Sequence, residues 1–198
     1  GLTGTYWRMP TTAARPNVRE HILDVALQLM SEHGSAAVSM RQLAQACGVQ
    51  VAAIYHYFPS KEDLLAKVVE ERRYTSRSFD LPEGIEEAPV ADRLLAVFEL
   101  FWNGAMDEEP VLRLLLGEAI RGQVVALPMG EMLLQVFHDG VVTAISGLIP
   151  EIQEPEEVAE AVVAHVFSGF IRHIFEPQTP SEELGSAQGR MLVSTLGI

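Results

Sequence analysis

The residues best suited to bind another molecule lie close together in residues 39–65, the stretch SMRQLAQACGVQVAAIYHYFPSKEDLL. Hydroxyl, guanidinium, imidazole and ammonium groups recur there every few residues. Such groups hydrogen-bond phosphate oxygens, and a guanidinium can also bind the edge of a guanine base through two hydrogen bonds. The chemistry that this stretch predicts is recognition of a nucleic acid.

Two short helices around a tight turn must position these groups. Ser39 and Gln42 form a capping box that starts the first helix, and Gly48 supplies the positive φ angle that the turn requires. The second helix covers about residues 50–57. This is the plan of a helix-turn-helix, whose second helix enters the major groove of DNA. The apolar residues with the spacing to lock the two helices together are Leu43, Ala44, Val49 and Ile54.

Nearly every other segment has the apolar spacing of a helix, and no alternating run of β-branched residues predicts a strand. We therefore predict an all-α fold of about nine helices: an N-terminal three-helix domain with the helix-turn-helix, followed by a helical C-terminal domain. The acidic stretch at about 80–89 predicts a linker. The other helices are predicted at about 17–33, 60–77, 90–106, 110–121, 128–148, 155–175 and 180–196.

Charge and composition exclude several classes of protein. The net charge of −13 is uneven, because the first 77 residues are slightly basic and the remainder is strongly acidic. A single cysteine, Cys47, excludes an intramolecular disulfide and favours a reducing compartment. We see no secretory signal and no membrane-spanning segment. Without a nucleophile elbow, a phosphate-binding glycine loop or a zinc-ligand pair, we predict no enzyme, cofactor or metal.

The chain resembles the TetR/AcrR family of transcriptional regulators over about residues 15–70. The segments REHILDVALQLMSEHG, VSMRQLAQACGV and AAIYHYFPSKEDLL carry the resemblance. It implies a ligand-responsive regulator of the bacterial cytoplasm, a repressor that binds palindromic operator DNA as a homodimer and is released by a small, largely apolar or cationic effector. The implied domains are an arm (1–16), the DNA-binding domain (17–62) and a ligand-binding and dimerisation domain (63–198). The alternative is a helical small-molecule-binding or scaffold protein without sequence-specific DNA binding.

The resemblance also implies roles for single residues in DNA binding. Arg41 and His56 are the candidates for polar contacts with bases, and Arg8 and Arg15 belong to the arm. The first turn of the second helix, the recognition helix that enters the groove, contains Gln50, Val51, Ala52 and Ala53. Because most of these side chains cannot hydrogen-bond to bases, they favour recognition of DNA shape. The candidates for phosphate contacts are Ser39, Tyr55, Tyr57 and Lys61. For the tyrosines the alternative is burial as core aromatics.

In the C-terminal half, aromatic and methionine side chains among a few polar groups predict an apolar ligand pocket. Plain core packing is the alternative for each of them. The helix after the recognition helix, at about 61–77, is the predicted connection between pocket and DNA-binding domain. Pocket candidates are Phe98, Glu99, Trp102, Met106, Met132, Phe137, His138, His165 and Phe170. Candidates for the dimer interface are Val162, Val166, Phe170, Leu184, Met191 and Leu192.

Overall fold

The computed structural model describes residues 17–72 and 81–198, and within those ranges it contains nine α-helices and no strand. The prediction of an all-α chain is confirmed. The predicted arm with Arg8 and Arg15 lies outside the described residues, as does the predicted end of the fourth helix at Arg77. The helices are α1 Val18–His33, α2 Met40–Cys47, α3 Val51–Tyr57, α4 Lys61–Arg72, α5 Val90–Asp107, α6 Glu109–Ile120, α7 Ala126–Leu148, α8 Pro155–Phe175 and α9 Ser181–Leu196.

Helix α1 has both ends fixed by local hydrogen bonds. The Asn17 side chain accepts hydrogen bonds from the backbone N–H groups of Arg19 and Glu20, which have no partner inside the helix. Gly34 ends the helix with φ of 82°, a conformation that favours glycine. The buried face of α1 consists of Ile22, Leu23, Ala26 and Met30, and it faces α2, α4 and α6.

Helices α2 and α3 form the predicted helix-turn-helix. Ser39 and Gln42 make the reciprocal capping box, with the Ser39 hydroxyl 3.1 Å from the Gln42 backbone nitrogen. Gly48 adopts the left-handed conformation with φ of 69° and turns the chain into α3. Ile54 is the buried residue of α3 and packs in the apolar core with Leu43. Burial in the same core raises the pKa of the Cys47 thiol.

Helix α4 is tied to α1 by ion pairs at the protein surface. The Arg19 guanidinium donates two hydrogen bonds to the Glu71 carboxylate, at 2.7 and 2.6 Å. Arg72 pairs with Glu20 at 2.8 Å and with Asp24 at 2.8 Å. The hydrogen bond from Arg19 lowers the pKa of Glu71, against the opposing effect of burial.

The C-terminal helices pack around α5 and α8. The Trp102 ring is wedged between α5, α8 and α9, and its indole N–H donates to the Ser181 carbonyl oxygen at 3.1 Å. A Cβ atom at Gly169 or Gly185 would lie 2.6 or 2.4 Å from this ring. The close approach that Gly185 permits therefore serves Trp102 of the same chain. Arg93 fixes the start of α5 to the end of α7 by donating to the Leu148 carbonyl oxygen at 2.9 Å.

Helix α8 is long and apolar enough to span a membrane, by length and composition alone. In the structure it lies among α5, α7 and α9, and Val162, Val166 and Phe170 on its inner face are buried. Central helices of soluble proteins pass the same length test.

Candidate nucleic-acid interface and ligand cavity

Helix α3 turns most of its surface outward. Tyr55 is 49% exposed and Tyr57 is 40% exposed, and His56 between them is also exposed. These exposures argue against the alternative that the tyrosines are core aromatics. Phe58 directly after them is buried and holds the end of α3 in the core. An exposed helix that carries aromatic and imidazole groups can meet a groove of DNA without refolding.

Five of the candidate DNA-binding residues surround one open hollow between the first turns of α2, α3 and α4. They are Ser39, Arg41, Val51, Tyr55 and Lys61, and Glu62 contributes a carboxylate to the same hollow. The Arg41 side chain is exposed, while the Ser39 hydroxyl already accepts the capping hydrogen bond. The exposed N-termini of α2 and α4 meet at this hollow, and helix N-termini favour phosphate oxygens.

The structure gives Lys61 an internal role that the sequence did not predict. Its ammonium group donates to the carbonyl oxygens of Ser35 and Val38, at 2.9 and 3.1 Å. Because an ammonium has three N–H donors, two of them are used to fix the segment before α2. Any phosphate contact made by Lys61 therefore has one N–H donor left.

The start of the recognition helix offers little hydrogen bonding to bases. Gln50 is the N-cap residue of α3, is exposed and makes no side-chain capping bond. Ala52 is exposed, and Val51 and Ala53 are half-buried. Methyl groups of this kind can pack against thymine methyls but cannot read donors and acceptors.

An apolar cavity of about 190 Å³ lies between α5, α6, α7 and α8. Aromatic rings form one wall, since Phe137 packs edge-on against Phe101 at 5.1 Å and against Phe167 at 6.1 Å between ring centres. Two predicted pocket residues, Phe137 and Phe170, line it. Phe101 and Phe167 are further aromatic residues of the lining. The sequence analysis missed Leu100, Gly104, Ala105, Glu108, Leu112, Leu133 and Val136, and it had assigned Val166 to a dimer interface.

The other predicted pocket residues lie elsewhere. Phe98 and Trp102 are buried in the core between α5 and α9, whereas Glu99 and Met132 face solvent. Met106 packs half-buried against the core. His138 lies beside Asp139 at 3.6 Å, and His165 Nδ1 lies 2.9 Å from the Ala161 carbonyl oxygen. In the described part of the chain, no three His, Cys, Asp or Glu side chains are grouped to hold a metal.

A second apolar hollow of about 450 Å³ adjoins the cavity between α6 and α7. Leu112, Leu133 and Phe167 line both spaces and form the boundary between them. The charged residues among the described lining are Glu108 in the cavity and Glu131 in the hollow. No lining residue carries a positive charge, so both spaces disfavour an anionic ligand.

Five of the six residues predicted at a dimer interface are buried inside the single chain. Val162, Val166, Phe170, Leu184 and Leu192 lie in the core formed by α5, α7, α8 and α9. Buried side chains cannot contact a second copy without unfolding this core. Met191, the sixth, is 47% exposed. The helices that cover the apolar residues of α8 are α5, α7 and α9 of the same chain.

Residues 22–68 match the family described as bacterial regulatory proteins, tetR family. Over 52 residues the chain is 46% identical to the HTH-type transcriptional regulator AcrR of Shigella flexneri, covering 26% of this chain and 24% of that protein. Over 61 residues it is 38% identical to the regulator BetI of Rhizobium meliloti, covering 31% and 30%. These two matches span less than a third of the relatives' length.

The remainder of the chain resembles known proteins by fold. The structure of a SmeT–triclosan complex matches with a TM-score of 0.68 at 21% identity, covering 90% of both chains. A transcriptional regulator of the TetR/AcrR type from Aquifex aeolicus matches with a TM-score of 0.61 at 18% identity, covering 89% of this chain and 98% of that one. Residues 22–68 are therefore similar in sequence to the tetR family, and the described chain shares the fold of these solved structures.

Proposed function

We propose that the protein is a ligand-responsive transcriptional repressor that binds palindromic operator DNA as a homodimer and is released by a small, largely apolar effector. The observation that carries the proposal is the outward-facing α3, held on a capped α2 with Tyr55, His56 and Tyr57 exposed. The apolar cavity in the C-terminal half supports the effector. A cytoplasmic location follows from the family resemblance.

DNA binding in this proposal combines a few polar contacts with recognition of DNA shape. Arg41 and His56 are the candidates for base edges, and Tyr55 and Tyr57 for phosphates. Because Ala52 and Ala53 offer only methyl groups, sequence-dependent groove geometry carries a larger share of specificity. The slightly basic N-terminal part supplies the electrostatic attraction to DNA that the acidic remainder lacks.

The decisive experiment is a DNA titration at several salt concentrations. Genomic fragments selected by the protein would provide the operator, and fluorescence anisotropy would give the dissociation constant. We expect affinity to fall steeply with salt, because each phosphate contact releases a counterion. Arg41→Ala should weaken operator binding by about 1–3 kcal/mol if Arg41 reads a guanine.

The matched control for Arg41→Ala is Arg190→Ala, which removes an exposed arginine on α9, far along the chain from the helix-turn-helix. Because α9 also belongs to the proposed dimer interface, sedimentation equilibrium must first show that this variant associates as the wild type does. Arg190→Ala should leave operator affinity unchanged. Binding that is weak, independent of salt and equally affected by both variants would favour the alternative of a helical ligand-binding or scaffold protein.

For the homodimer, we propose that the outward sides of α8 and α9 form the interface. Phe175 is 79% exposed, and Ile171 and Met191 are nearly half exposed. Apolar side chains this exposed on neighbouring helices are typical of interaction surfaces. Ile171→Asp should shift sedimentation equilibrium towards the monomer, whereas Ile120→Asp at the end of α6 should not. A dimer that resists Ile171→Asp but dissociates with Ile120→Asp would place the interface elsewhere.

The effector is proposed to be neutral or cationic, because carboxylates are the charged groups of the described lining. Naphthalene derivatives ending in a hydroxyl, a quaternary ammonium or a carboxylate share one apolar body and differ in charge. Thermal stabilisation by the first two, and not by the third, is expected. Ala105→Leu fills part of the cavity and should abolish that stabilisation, while Gly147→Ala, which has open space around it, should preserve it.

A further inference from the structure

One buried carboxylate joins the DNA-binding domain to the C-terminal helices. Glu118 of α6 is 1% exposed and lies in the otherwise apolar junction where α6 packs along α1. Its two oxygens accept hydrogen bonds from Ser35, one from the backbone N–H and one from the hydroxyl, each at 2.7 Å. Breaking this contact would leave a buried carboxylate without its donors, which is strongly unfavourable.

The partner of Glu118 lies at the entrance to the helix-turn-helix. Ser35 begins the short 3-10 turn Ser35–Ala37, between the end of α1 and the Ser39 cap of α2. The Lys61 ammonium holds the same segment from the side of α4, through the Ser35 and Val38 carbonyl oxygens. The position of Glu118 therefore influences where α2 starts, and α3 follows α2 after a single turn.

The guanidinium of Arg121 completes the junction. It lies 3.6 Å from a Glu118 carboxylate oxygen and packs over Gly34 and Gly117. A Cβ atom at either glycine would lie within 2.9 Å of the guanidinium, so the absence of a side chain at both positions leaves room for Arg121 in this place. The contact is thus built from residues of both domains.

The same helix α6 also reaches the ligand cavity. Leu112 lines the cavity and the adjoining hollow, and Leu115 and Ala119 line the hollow. Leu112 and Glu118 are six residues apart, which is about 9 Å along a helix. Because a helix is stiff over that distance, a ligand that displaces Leu112 also displaces Glu118.

We propose that Glu118 is the positioning residue through which occupancy of the cavity changes the placement of α2 and α3. The proposal rests on the proposed function for its biological meaning. The sequence pointed to α4 as the connection, yet α4 lies against α1 through buried apolar residues and surface ion pairs, and no residue of α4 lines the cavity. Helix α6 is the element that touches both the cavity and the first turn before α2.

Amide hydrogen exchange of the full chain tests the first step and requires no DNA. Glu118→Gln keeps the size of the side chain but replaces one acceptor oxygen by an N–H donor. We expect amides of residues 35–47 to exchange about tenfold faster than in the wild-type protein. Glu99→Gln changes an exposed carboxylate on α5 and should have no effect. The proposal would be overturned if residues 35–47 exchanged in Glu118→Gln at the same rate as in Glu99→Gln. It would also be overturned if Glu118→Gln accelerated exchange equally over α7–α9.

Transmission from the cavity is tested by Leu112→Phe, which enlarges a side chain on the cavity wall of α6. In the wild-type background, Leu112→Phe should change the amide exchange rates of residues 35–38. In the Glu118→Gln background, the change caused by Leu112→Phe should be at least tenfold smaller. An equal effect in both backgrounds overturns the proposal. If Glu118→Gln does not fold, Ser35→Ala, which removes only the hydroxyl bond, replaces it and should reduce the transmission about threefold. A chain that binds no operator but shows this exchange pattern would refute the repressor function and leave the coupling intact.

Discussion

The N-terminal helices α1–α4 and the C-terminal helices α5–α9 pack by the same apolar contacts but present their candidate functional residues in opposite directions. In the first group, α3 buries Ile54 and turns Tyr55, His56 and Tyr57 towards solvent. In the second, Phe137, Phe167 and Phe170 turn inward around a cavity. An outward site can be altered without cost to the fold, whereas an inward site shares its residues with the core. Mutations that separate binding from stability should therefore be found in one group and not in the other.

The largest difference between the stability effects of two variants is expected within α3 itself. Ile54→Ala removes the buried residue of α3 and should lower the free energy of unfolding by about 2–5 kcal/mol, because it leaves a cavity in the core. Tyr57→Ala, three residues later on the exposed face, should change it by less than about 0.5 kcal/mol. Urea denaturation followed by circular dichroism measures both. Similar losses for the two variants would mean that α3 has no distinct outer face.

This contrast also determines what the sequence could predict. The capping box at Ser39, the turn at Gly48 and the exposed residues of α3 depend on contacts within a few residues, and the sequence analysis found them. The cavity depends on where α5, α7 and α8 leave space, and Phe98 and Phe101 in one helix have the same chemistry but different surroundings. The small residues Gly104 and Ala105 beside Phe101 are the signal that could have indicated the cavity.

The residues predicted for the dimer interface were chosen wrongly for the same reason, while pairing through α8 and α9 stays a prediction. The apolar stripe of α8 and the glycines of α9 could equally contact a second copy or the same chain. Trp102, which lies outside both helices, decides between these possibilities by packing against Gly169 and Gly185. Glu118 shows the converse case, because its apolar sequence neighbours do not indicate a polar partner, and the structure buries it against Ser35, 83 positions earlier in the chain.

In the C-terminal group, the next largest effect is expected at Gly185. An alanine Cβ there would lie 2.4 Å from the Trp102 indole nitrogen, so Gly185→Ala should cost about 1–3 kcal/mol of stability through overpacking. Gly130→Ala on α7 is the matched control, since nothing lies within 4 Å of its Cβ position. It should be neutral or stabilise by up to about 1 kcal/mol, as alanine favours helix. A stable Gly185→Ala protein would mean that Trp102 can move within the core.

Back in the N-terminal group, the cap of α2 should have an intermediate effect. Ser39→Ala removes the acceptor of the Gln42 N–H and should lower stability by about 0.5–2 kcal/mol. Operator affinity should fall as well, because the hydroxyl and the first turn of α2 border the candidate DNA-binding hollow. Ser186→Ala, at an exposed position inside α9, should change neither quantity. Denaturation and anisotropy titrations on the same samples would show whether stability and binding change together.

The smallest effect is expected at the surface ion pair between α1 and α4. Glu71→Gln weakens the contact with Arg19 and should cost about 0.2–1 kcal/mol at neutral pH, because both side chains are about one-third exposed. Its pKa is lowered in the folded protein, so the carboxylate stabilises the fold at pH values above the pKa of the unfolded chain. That contribution is lost as the pH falls through the lowered pKa. The difference between wild type and variant should therefore be full at pH 7 and disappear in acid.

Glu70→Gln is the control for this pair, since Glu70 pairs with Lys67 of the same helix and is far more exposed than Glu71. Glu70→Gln should change the free energy of unfolding by less than Glu71→Gln does, because the partner of Glu70 lies in α4 and not in α1. Salt at 1 M should reduce the Glu71 effect through screening, while the buried contact between Glu118 and Ser35 should respond little to salt. If the Glu71 effect persisted in high salt and in acid, the side chain would contribute through packing and not through its charge, in addition to the buried apolar residues Leu64, Leu65 and Val68 of α4.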